Sequence, residues 1–509
     1  MLKIHLLSCI LALPLVDSYV TYNSAVPQRK QIKWLKKLTV DICESPAGEL
    51  SDEMIKEVPE VMRGWTSMKD TSAENAVAIE NLVKRLVDES MAGNLKATPT
   101  TSDYNLMLES WAKSREGTFA AERCEQILTQ MQERFEAGDA NVQPNLSSFK
   151  IVIMAWRESR ESFGSYRAQR ILEWMIQLYK QGKNDLALPD SDCFDIVLQC
   201  WSRNSFEAAP RNAEKLLGVM EKLYEATQSS TLRPNTHSFN AVLGAWARSN
   251  DAKSWRRMCD ILGFMEKLHY VEGNDRVKPD LVTYHIVLGA LSRIIDSKDS
   301  APVADSLLRS IEKRYKVDLL SWDPDTILFN SVMGCWAHSN SRGAYRKSRS
   351  ILDRQLNMFS RGCKECRPDV FGYTSVLSSC ASEPGDRKER SKAFNVALST
   401  FQELTQQSEE FGMPNHVTYG TMMKACVRLL PKGNPERKKW SRQLFQESKE
   451  KGLVGDMVLS RFREAATPED YKELMEGFSK RSLPVAWKRN VCEKSEYRRR
   501  VADKRKLLP

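Results

Sequence analysis

A recurring hydrophobic pattern covers most of the chain. An aromatic residue returns every 44 to 46 residues, followed by apolar residues at +3 and +4 and by an apolar residue, most often Trp, at +7. These positions lie on one face of an α-helix, so each copy predicts an amphipathic helix. A small residue always stands at +6, where it lets a neighbouring helix approach closely. The aromatic positions are Tyr104, Phe149, Phe194, Phe239, Tyr284, Phe329, Tyr373 and Tyr419.

A second apolar stripe follows each first helix, as in Leu216, Met220 and Leu223. Most copies then end in Pro followed by Asp or Asn. Since proline ends a helix and Asp or Asn caps one, this pair predicts the boundary between one copy and the next. Each copy is therefore predicted to be an antiparallel helix pair. Since one pair cannot bury both of its faces, the copies must stack. The predicted fold class is all-α, a right-handed superhelical α-solenoid of stacked antiparallel helix pairs.

The same spacing predicts how the chain is organised. Trp65 lies 46 residues before Trp111, so a degenerate copy precedes the eight clear ones. One elongated repeat domain should therefore fill most of the chain. The predicted parts are a targeting presequence (1–40), a degenerate N-terminal helical repeat or cap (41–98), eight repeats (99–456), a C-terminal helical cap (457–479) and a basic tail (480–509).

Composition excludes some classes of protein. The 509 residues are 41% hydrophobic with a mean hydropathy of −0.47. No apolar run reaches the length of a membrane span, which excludes a polytopic membrane protein. The 12 cysteines are sparse and irregularly spaced, unlike a disulfide scaffold. The net charge of +10 is concentrated at the two ends, so it does not by itself indicate nucleic-acid binding.

The N-terminus has the features of a targeting segment. A basic start precedes a mostly apolar stretch at residues 4–16, and a cut after Ser18 would leave Tyr19 first. Residues 18–40 contain no acid and five Lys or Arg. A signal peptide followed by a transit-like segment is typical of plastids of secondary origin. The alternative is a mitochondrial presequence, and simple secretion fits less well because the cysteines look unpaired.

The repeat junctions resemble those of pentatricopeptide repeats. Residues 279–284 are Pro-Asp-Leu-Val-Thr-Tyr, and residues 414–419 are Pro-Asn-His-Val-Thr-Tyr. The copies are longer than the family's usual unit, as in its long-repeat variants. The resemblance implies a non-enzymatic organellar protein that binds single-stranded RNA, about one base per repeat, in RNA stabilisation, processing or translation. It would be a monomer without cofactors and without stable membrane association after presequence removal, and it could bind protein effectors.

The residue directly after each aromatic is the candidate RNA contact. Seven of the eight are polar, and they lie about 100° from the apolar stripe. From the residues alone, a solvated helix face or a capping position is the alternative explanation. The resemblance implies that each recognises a base together with the Asp or Asn after the next proline. The implied pairs are Asn105 with Asn145, Lys150 with Asp190, Asp195 with Asn235, Asn240 with Asp280, His285 with Asp325, Asn330 with Asp369, Thr374 with Asn415 and Gly420 with Asp456.

The resemblance also implies base preferences. Asn240 and Asn330 with their Asp partners would favour uracil, Thr374 with Asn415 adenine, and Asn105 with Asn145 a pyrimidine. The other four combinations are atypical. From the RNA 5′ end, the expected order is pyrimidine, any, any, U, any, U, A, any.

Other chemistry is sparse in this sequence. Cys363 and Cys366 form the only Cys-x-x-Cys, and no second pair stands at zinc-finger spacing. We therefore predict no metal site; the alternative is a metal site formed by these two cysteines in the linker. No His-x-Glu or Gly-rich phosphate loop occurs, and no catalytic residue or cofactor is predicted. The tail predicts weak RNA phosphate contacts, with a solubilising tail or a nuclear localisation signal as alternatives. Its basic residues are Arg498, Arg499, Arg500, Lys504, Arg505 and Lys506.

A second functional class remains open. A helical-repeat scaffold that binds proteins, without RNA contact, would have the same hydrophobic pattern. It would predict a mixed apolar and polar groove rather than one polar position per repeat.

Overall fold

The computed structural model describes residues 28–46, 48–68, 72–251, 253–294, 299–478 and 482–491. The predicted cleavage region before Tyr19 and the tail residues from Arg498 onward lie outside these ranges. The described residues form α-helices, short 3-10 helices and no β-strand, which confirms the all-α prediction. No helix within them is long and apolar enough to cross a bilayer.

The helices follow one another as pairs. Those before the clear repeats are α1 (Gln28–Glu44), α2 (Asp52–Thr66) and α3 (Ala73–Met91). Repeats 1 to 4 are α4 (Thr101–Lys113) with α5 (Thr118–Glu136), α6 (Leu146–Ser159) with α7 (Gly164–Lys180), α8 (Ser191–Arg203) with α9 (Ala209–Thr227), and α10 (Thr236–Arg248) with α11 (Ser254–Tyr270).

Repeats 5 to 8 continue the pattern to the C-terminal helices. They are α12 (Leu281–Ser292) with α13 (Ser300–Lys316), α14 (Thr326–His338) with α15 (Ala344–Ser360), α16 (Val370–Ala381) with α17 (Arg387–Gln406) and the short α18 (Ser408–Phe411), and α19 (His416–Leu429) with α20 (Pro435–Glu450). The last helices are α21 (Asp456–Ala465), α22 (Pro468–Leu474) and α23 (Val485–Lys488).

The apolar stripe of each first helix is buried, as the sequence predicts. Trp201 is 0% exposed, and Trp246 and Trp336, the most exposed of the five at this position, are 8% exposed. The small residues at +6 are buried as well, from Ser110 in α4 to Ala425 in α19. The Trp positions are therefore part of the core and are not accessible stacking platforms.

Each first helix packs on the next. The described chain divides into two compact units. One comprises the residues up to Phe206 together with Gly218–Arg233, and the other comprises Glu207–Leu217 and the chain from Pro234 onward. In the first unit α4 packs on α6 and α6 on α8, while α5 and α7 bridge consecutive first helices. In the second unit α10, α12, α14, α16, α19 and α21 succeed one another in the same way. Within each unit, a first helix that lies between two others, such as α6 or α14, thus packs against both of them.

Short 3-10 helices lie between most repeats, an element that the sequence pattern did not predict. Examples are Asp275–Val277 and Lys364–Cys366, each ending just before the proline of the next junction. Val277 is 1% and Cys366 0% exposed, so each turn inserts an apolar residue into the core. The turn thereby fixes the position of the capping residue that follows.

Both ends of the described chain are packed. Helix α1 begins at Gln28, inside the range predicted as presequence, and its Leu35 and Ile42 are buried. Near the C-terminus, within the range predicted as basic tail, Trp487 is only 8% exposed and accepts a backbone hydrogen bond from Val454 at 2.8 Å. Cleavage after residue 40 would remove most of α1, and residues 482–491 behave structurally as part of the repeat domain.

Candidate nucleic-acid interface

The Asp or Asn after each junction proline is the N-cap of the next first helix. Asp280 Oδ1 accepts from the backbone N–H of Thr283 at 2.8 Å, and Asp369 Oδ1 from Gly372 at 3.0 Å. The same geometry recurs at the other junctions, because an extended residue before the helix can satisfy one of its unpaired N–H groups. The further caps of this kind are Asn145, Asp190, Asn235, Asp325 and Asn415.

The structure brings most predicted pairs into direct contact. Asn240 Nδ2 donates to Asp280 Oδ1 at 3.1 Å, and Asn330 Nδ2 donates to Asp369 Oδ1 at 3.0 Å. In repeat 1, Asn105 Nδ2 donates to Asn145 Oδ1 at 3.4 Å. The polar residue of one repeat therefore meets the cap of the next, some 40 residues later. The pairs form partly buried polar sites between consecutive first helices.

Two of the atypical pairs join a basic side chain to a carboxylate. Lys150 Nζ lies 3.4 Å from Asp190 Oδ2 and also binds Asp192. Burial would lower the pKa of Lys150, but the hydrogen bond to Asp192 and the charges of both carboxylates raise it. His285 Nε2 lies 2.9 Å from Asp325 Oδ1. The candidate base-recognition residue is thus held by an ion pair in repeat 2 and by a hydrogen bond to a carboxylate in repeat 5.

Repeats 3, 7 and 8 differ from the simple pair. Thr374 does not contact Asn415 directly; its Oγ1 lies 3.0 Å from Oγ1 of Thr418, which in turn bonds Asn415 Oδ1 at 3.2 Å. At Gly420 a Cβ would lie 2.8 Å from Met457 Cγ, so a neighbouring side chain fills that site.

The remaining predicted residues in repeats 3 and 8 are placed one by one. Asp195 is 8% exposed on α8. Asn235 caps α10 in the other compact unit. Asp456 opens α21, where Gly455 and not Asp456 occupies the cap position.

A row of exposed apolar residues accompanies the pairs in the second compact unit. Each stands at the second position of a first helix, two residues after the cap. Polar residues occupy this position in repeats 1 to 4, for example Asp192 and His237. The hydrophobic pattern did not predict this row, although the contrast two residues before each aromatic is visible when the repeats are aligned. The residues and exposures are Val282 53%, Ile327 49%, Phe371 53% and Val417 39%.

These residues change what the sites can bind. At such a site, an exposed apolar or aromatic side chain can contact the face of a planar ring, and the polar pair can form hydrogen bonds with the edge of the same ring. Val282 and Ile327 stand on α12 and α14, the two helices that carry the pair of repeat 5, and Ile327 and Phe371 stand on the two helices that carry the pair of repeat 6. The arrangement suits a planar, polar-edged ligand at each step.

The Cys-x-x-Cys is buried in the linker of repeat 6. Cys366 Sγ donates to the carbonyl oxygen of Pro324 at 3.0 Å and Cys363 Sγ to the same oxygen at 3.5 Å. Burial raises the pKa of the Cys366 thiol, and a neutral thiol is a poor metal ligand. Across the described ranges, no three His, Cys, Asp or Glu side chains cluster as a metal site would require.

Comparison with protein-family models and with curated proteins gives no match for this chain.

Proposed function

We propose that this protein binds single-stranded RNA in the manner of a pentatricopeptide repeat protein, with consecutive repeats each contacting about one base. The helix pairs would form a right-handed superhelical solenoid with the first helices lining the RNA path. The observation that carries the proposal is the recurring contact between the residue after each aromatic and the cap of the next repeat, represented by Asn240 with Asp280.

The chemistry of that pair favours uracil. Asp280 Oδ1 receives the cap hydrogen bond from Thr283 and the bond from Asn240, and the second carboxylate oxygen can accept from a ligand. Uracil has an N–H at its Watson–Crick edge, which cytosine and adenine lack at that ring position. Leaving the carboxylate unpaired against the wrong base costs about 1–3 kcal/mol, which corresponds to roughly 5- to 150-fold discrimination.

Exposed apolar side chains in repeats 5 to 7 add contacts to a base beyond the hydrogen bonds of the polar pair. The two helices that carry each site of these repeats both present an exposed apolar side chain two residues after the cap, as Phe371 and Val417 do in repeat 7. Contacts of this kind stabilise a base without selecting it, at about 1–3 kcal/mol for stacking on an aromatic ring. Repeats 5 to 7 should therefore supply most of the affinity, and repeats 4, 6 and 7 most of the base preference.

The test is selection from a randomised eight-base RNA library. The parent should enrich U at the fourth and sixth positions and A at the seventh. The double variant Asn330→Thr with Asp369→Asn should move the sixth position from U toward A. The matched control makes the same changes at exposed positions on second helices, Asn395→Thr with Asp353→Asn, and should leave the selected sequence unchanged.

The outcomes separate the candidate functions. An unchanged base at the sixth position in the double variant would mean that this repeat does not recognise RNA or that the register is shifted. A parent that binds none of the library would favour a protein-binding helical-repeat scaffold.

We further propose an organellar location, a plastid of secondary origin with the mitochondrion as the alternative. The basis is the apolar start and the acid-free basic segment that follows it. A fusion of residues 1–40 to a fluorescent protein tests this directly. Fluorescence that remains in the cytosol would contradict both locations.

A further inference from the structure

A third side chain joins the pair in repeat 4. Thr283 is the third residue of α12, and its Oγ1 lies 2.7 Å from Asn240 Oδ1 and 2.8 Å from Asp280 Oδ1. The same hydroxyl accepts the backbone N–H of Asp280 at 3.1 Å. The Asn240 amide is thus bonded at both ends, its nitrogen to Asp280 and its oxygen to Thr283.

The same hydroxyl position is used in repeats 1 and 7. Ser148 Oγ lies 2.7 Å from Asn105 Oδ1 and 3.2 Å from Asn145 Oδ1. In repeat 7 the hydroxyl of Thr418 lies 3.0 Å from that of Thr374. In each case a Ser or Thr three residues after the cap contacts the candidate base-recognition residue of the preceding repeat.

Repeat 6 has the same Asn and Asp but lacks the hydroxyl. Gly372 occupies the position, and Asn330 Oδ1 is buried without a hydrogen-bond partner among the described residues. A Cβ at Gly372 would lie 2.7 Å from that oxygen, so the amide occupies the space that a side chain would take. Within the described part of the chain, the bond to Asp369 is the one hydrogen bond that orients the Asn330 amide.

We propose that the hydroxyl of Thr283, like those of Ser148 and Thr418, is a positioning group that sets the selectivity of the preceding repeat. An Asn amide that rotates by a half-turn exchanges its donor for its acceptor, and a base then meets the opposite pattern. Two bonds oppose that rotation in repeat 4 and one opposes it in repeat 6. The inference rests on the proposed RNA binding, and it makes repeat 4 more selective than repeat 6 although both carry Asn with Asp.

The experiment compares two substitutions in the full chain. Thr283→Val removes the hydroxyl with little change in shape, while Thr283→Ser keeps it. In the randomised eight-base library, Val should lower the U preference at the fourth position about 3- to 10-fold, the range expected for one net hydrogen bond. Ser should retain the preference, and the other positions should not change in either variant. In the parent, U should be more strongly enriched at the fourth position than at the sixth.

A control separates positioning from helix capping. Thr100→Val removes the hydroxyl that caps α4, where no candidate base-recognition residue precedes it. It should lower the melting temperature without changing any base preference. If Thr283→Val likewise lowers the melting temperature and leaves every base preference unchanged, Thr283 acts only in folding and the inference is wrong.

The remaining outcomes are equally decisive. A parent with a U preference at the fourth position that survives Thr283→Val overturns the inference and leaves RNA recognition intact. A parent that shows no base preference anywhere overturns both. Should Thr283→Val fail to fold, Ser148→Ala tests the same prediction at the first position, where the pyrimidine preference should weaken.

Discussion

Asn240 donates from Nδ2 to Oδ1 of Asp280 at 3.1 Å, although the two residues stand 40 positions apart in the chain. The bond joins the first helix of one repeat to the cap of the next. One carboxylate therefore both begins a helix and orients a side chain of the neighbouring repeat. The same bond joins Asn330 to Asp369 in repeat 6 across 39 positions, so the packing of the helices and not a fixed spacing maintains this relationship.

The Trp residues should be required for stability. Trp201 is fully buried, and its Nε1 donates to Gln169 at 2.7 Å. Trp201→Ala should lower the free energy of unfolding by about 3–5 kcal/mol, measured by urea unfolding. Trp34, 55% exposed on α1, is the control, and its replacement by Ala should cost no more than about 0.5 kcal/mol. A Trp201→Ala protein that melts like the parent would contradict the core assignment.

An ion pair between Glu80 and Arg123 links the second helices α3 and α5, and its carboxylate also accepts from a Trp. Glu80 Oε2 accepts from Trp111 Nε1 at 3.0 Å and from Arg123 Nε at 3.2 Å. Glu80→Ala leaves the buried indole N–H unpaired and should cost about 1–3 kcal/mol. Glu80→Gln should cost less because its amide oxygen can still accept from Trp111. The exposed Glu122→Ala on α5 is the control; equal melting temperatures for all variants would refute the linkage.

Buried thiols should make the fold sensitive to alkali. Burial is the main cause that raises the pKa of Cys380 from 9.0 to about 12. Because the folded pKa is the higher one, the contribution to stability is complete below pH 9 and is lost as the pH rises from 9 toward 12. The same direction and value apply to Cys124, Cys200, Cys335 and Cys426.

A single substitution measures one thiol. Cys380→Ala should reduce the pH dependence of unfolding above pH 9 by about one proton relative to the parent. Urea unfolding at pH 8 and at pH 10 gives the difference. If the free energy of unfolding falls by the same amount between pH 8 and pH 10 in both proteins, this thiol ionises while the protein is folded.

Truncation should distinguish the tail from the domain. Removing residues 492–509 should weaken RNA binding and flatten its salt dependence without changing base preference, since Lys and Arg contacts to phosphate are independent of sequence. Removing residues 479–509 also deletes Trp487, whose ring lies 4.3 Å from Lys449 Nζ, and should lower the melting temperature. A changed consensus sequence after the shorter truncation would contradict this division.

The repeat pattern alone determines much of the fold. The spacing from Tyr104 to Tyr419 predicted first helices whose Trp positions are buried, and the Pro-Asp junctions predicted caps such as Asp280. Periodicity and capping depend on neighbours within one or two helical turns, so one chain segment contains the whole cause. The pairing of Asn240 with Asp280 was accessible only through the family resemblance.

The tertiary structure alone decided which side chains meet across repeats. The hydroxyl of Thr283 on Asn240, the ion pair of Lys150 with Asp192, and the docking of Trp487 on the last repeats have no signature in local sequence. These contacts join residues about 40 positions apart, and their geometry depends on helix length, linker path and rotamer together. A hydrogen bond forms only within a few tenths of an ångström of its ideal distance, which a hydrophobic period of 45 residues cannot specify.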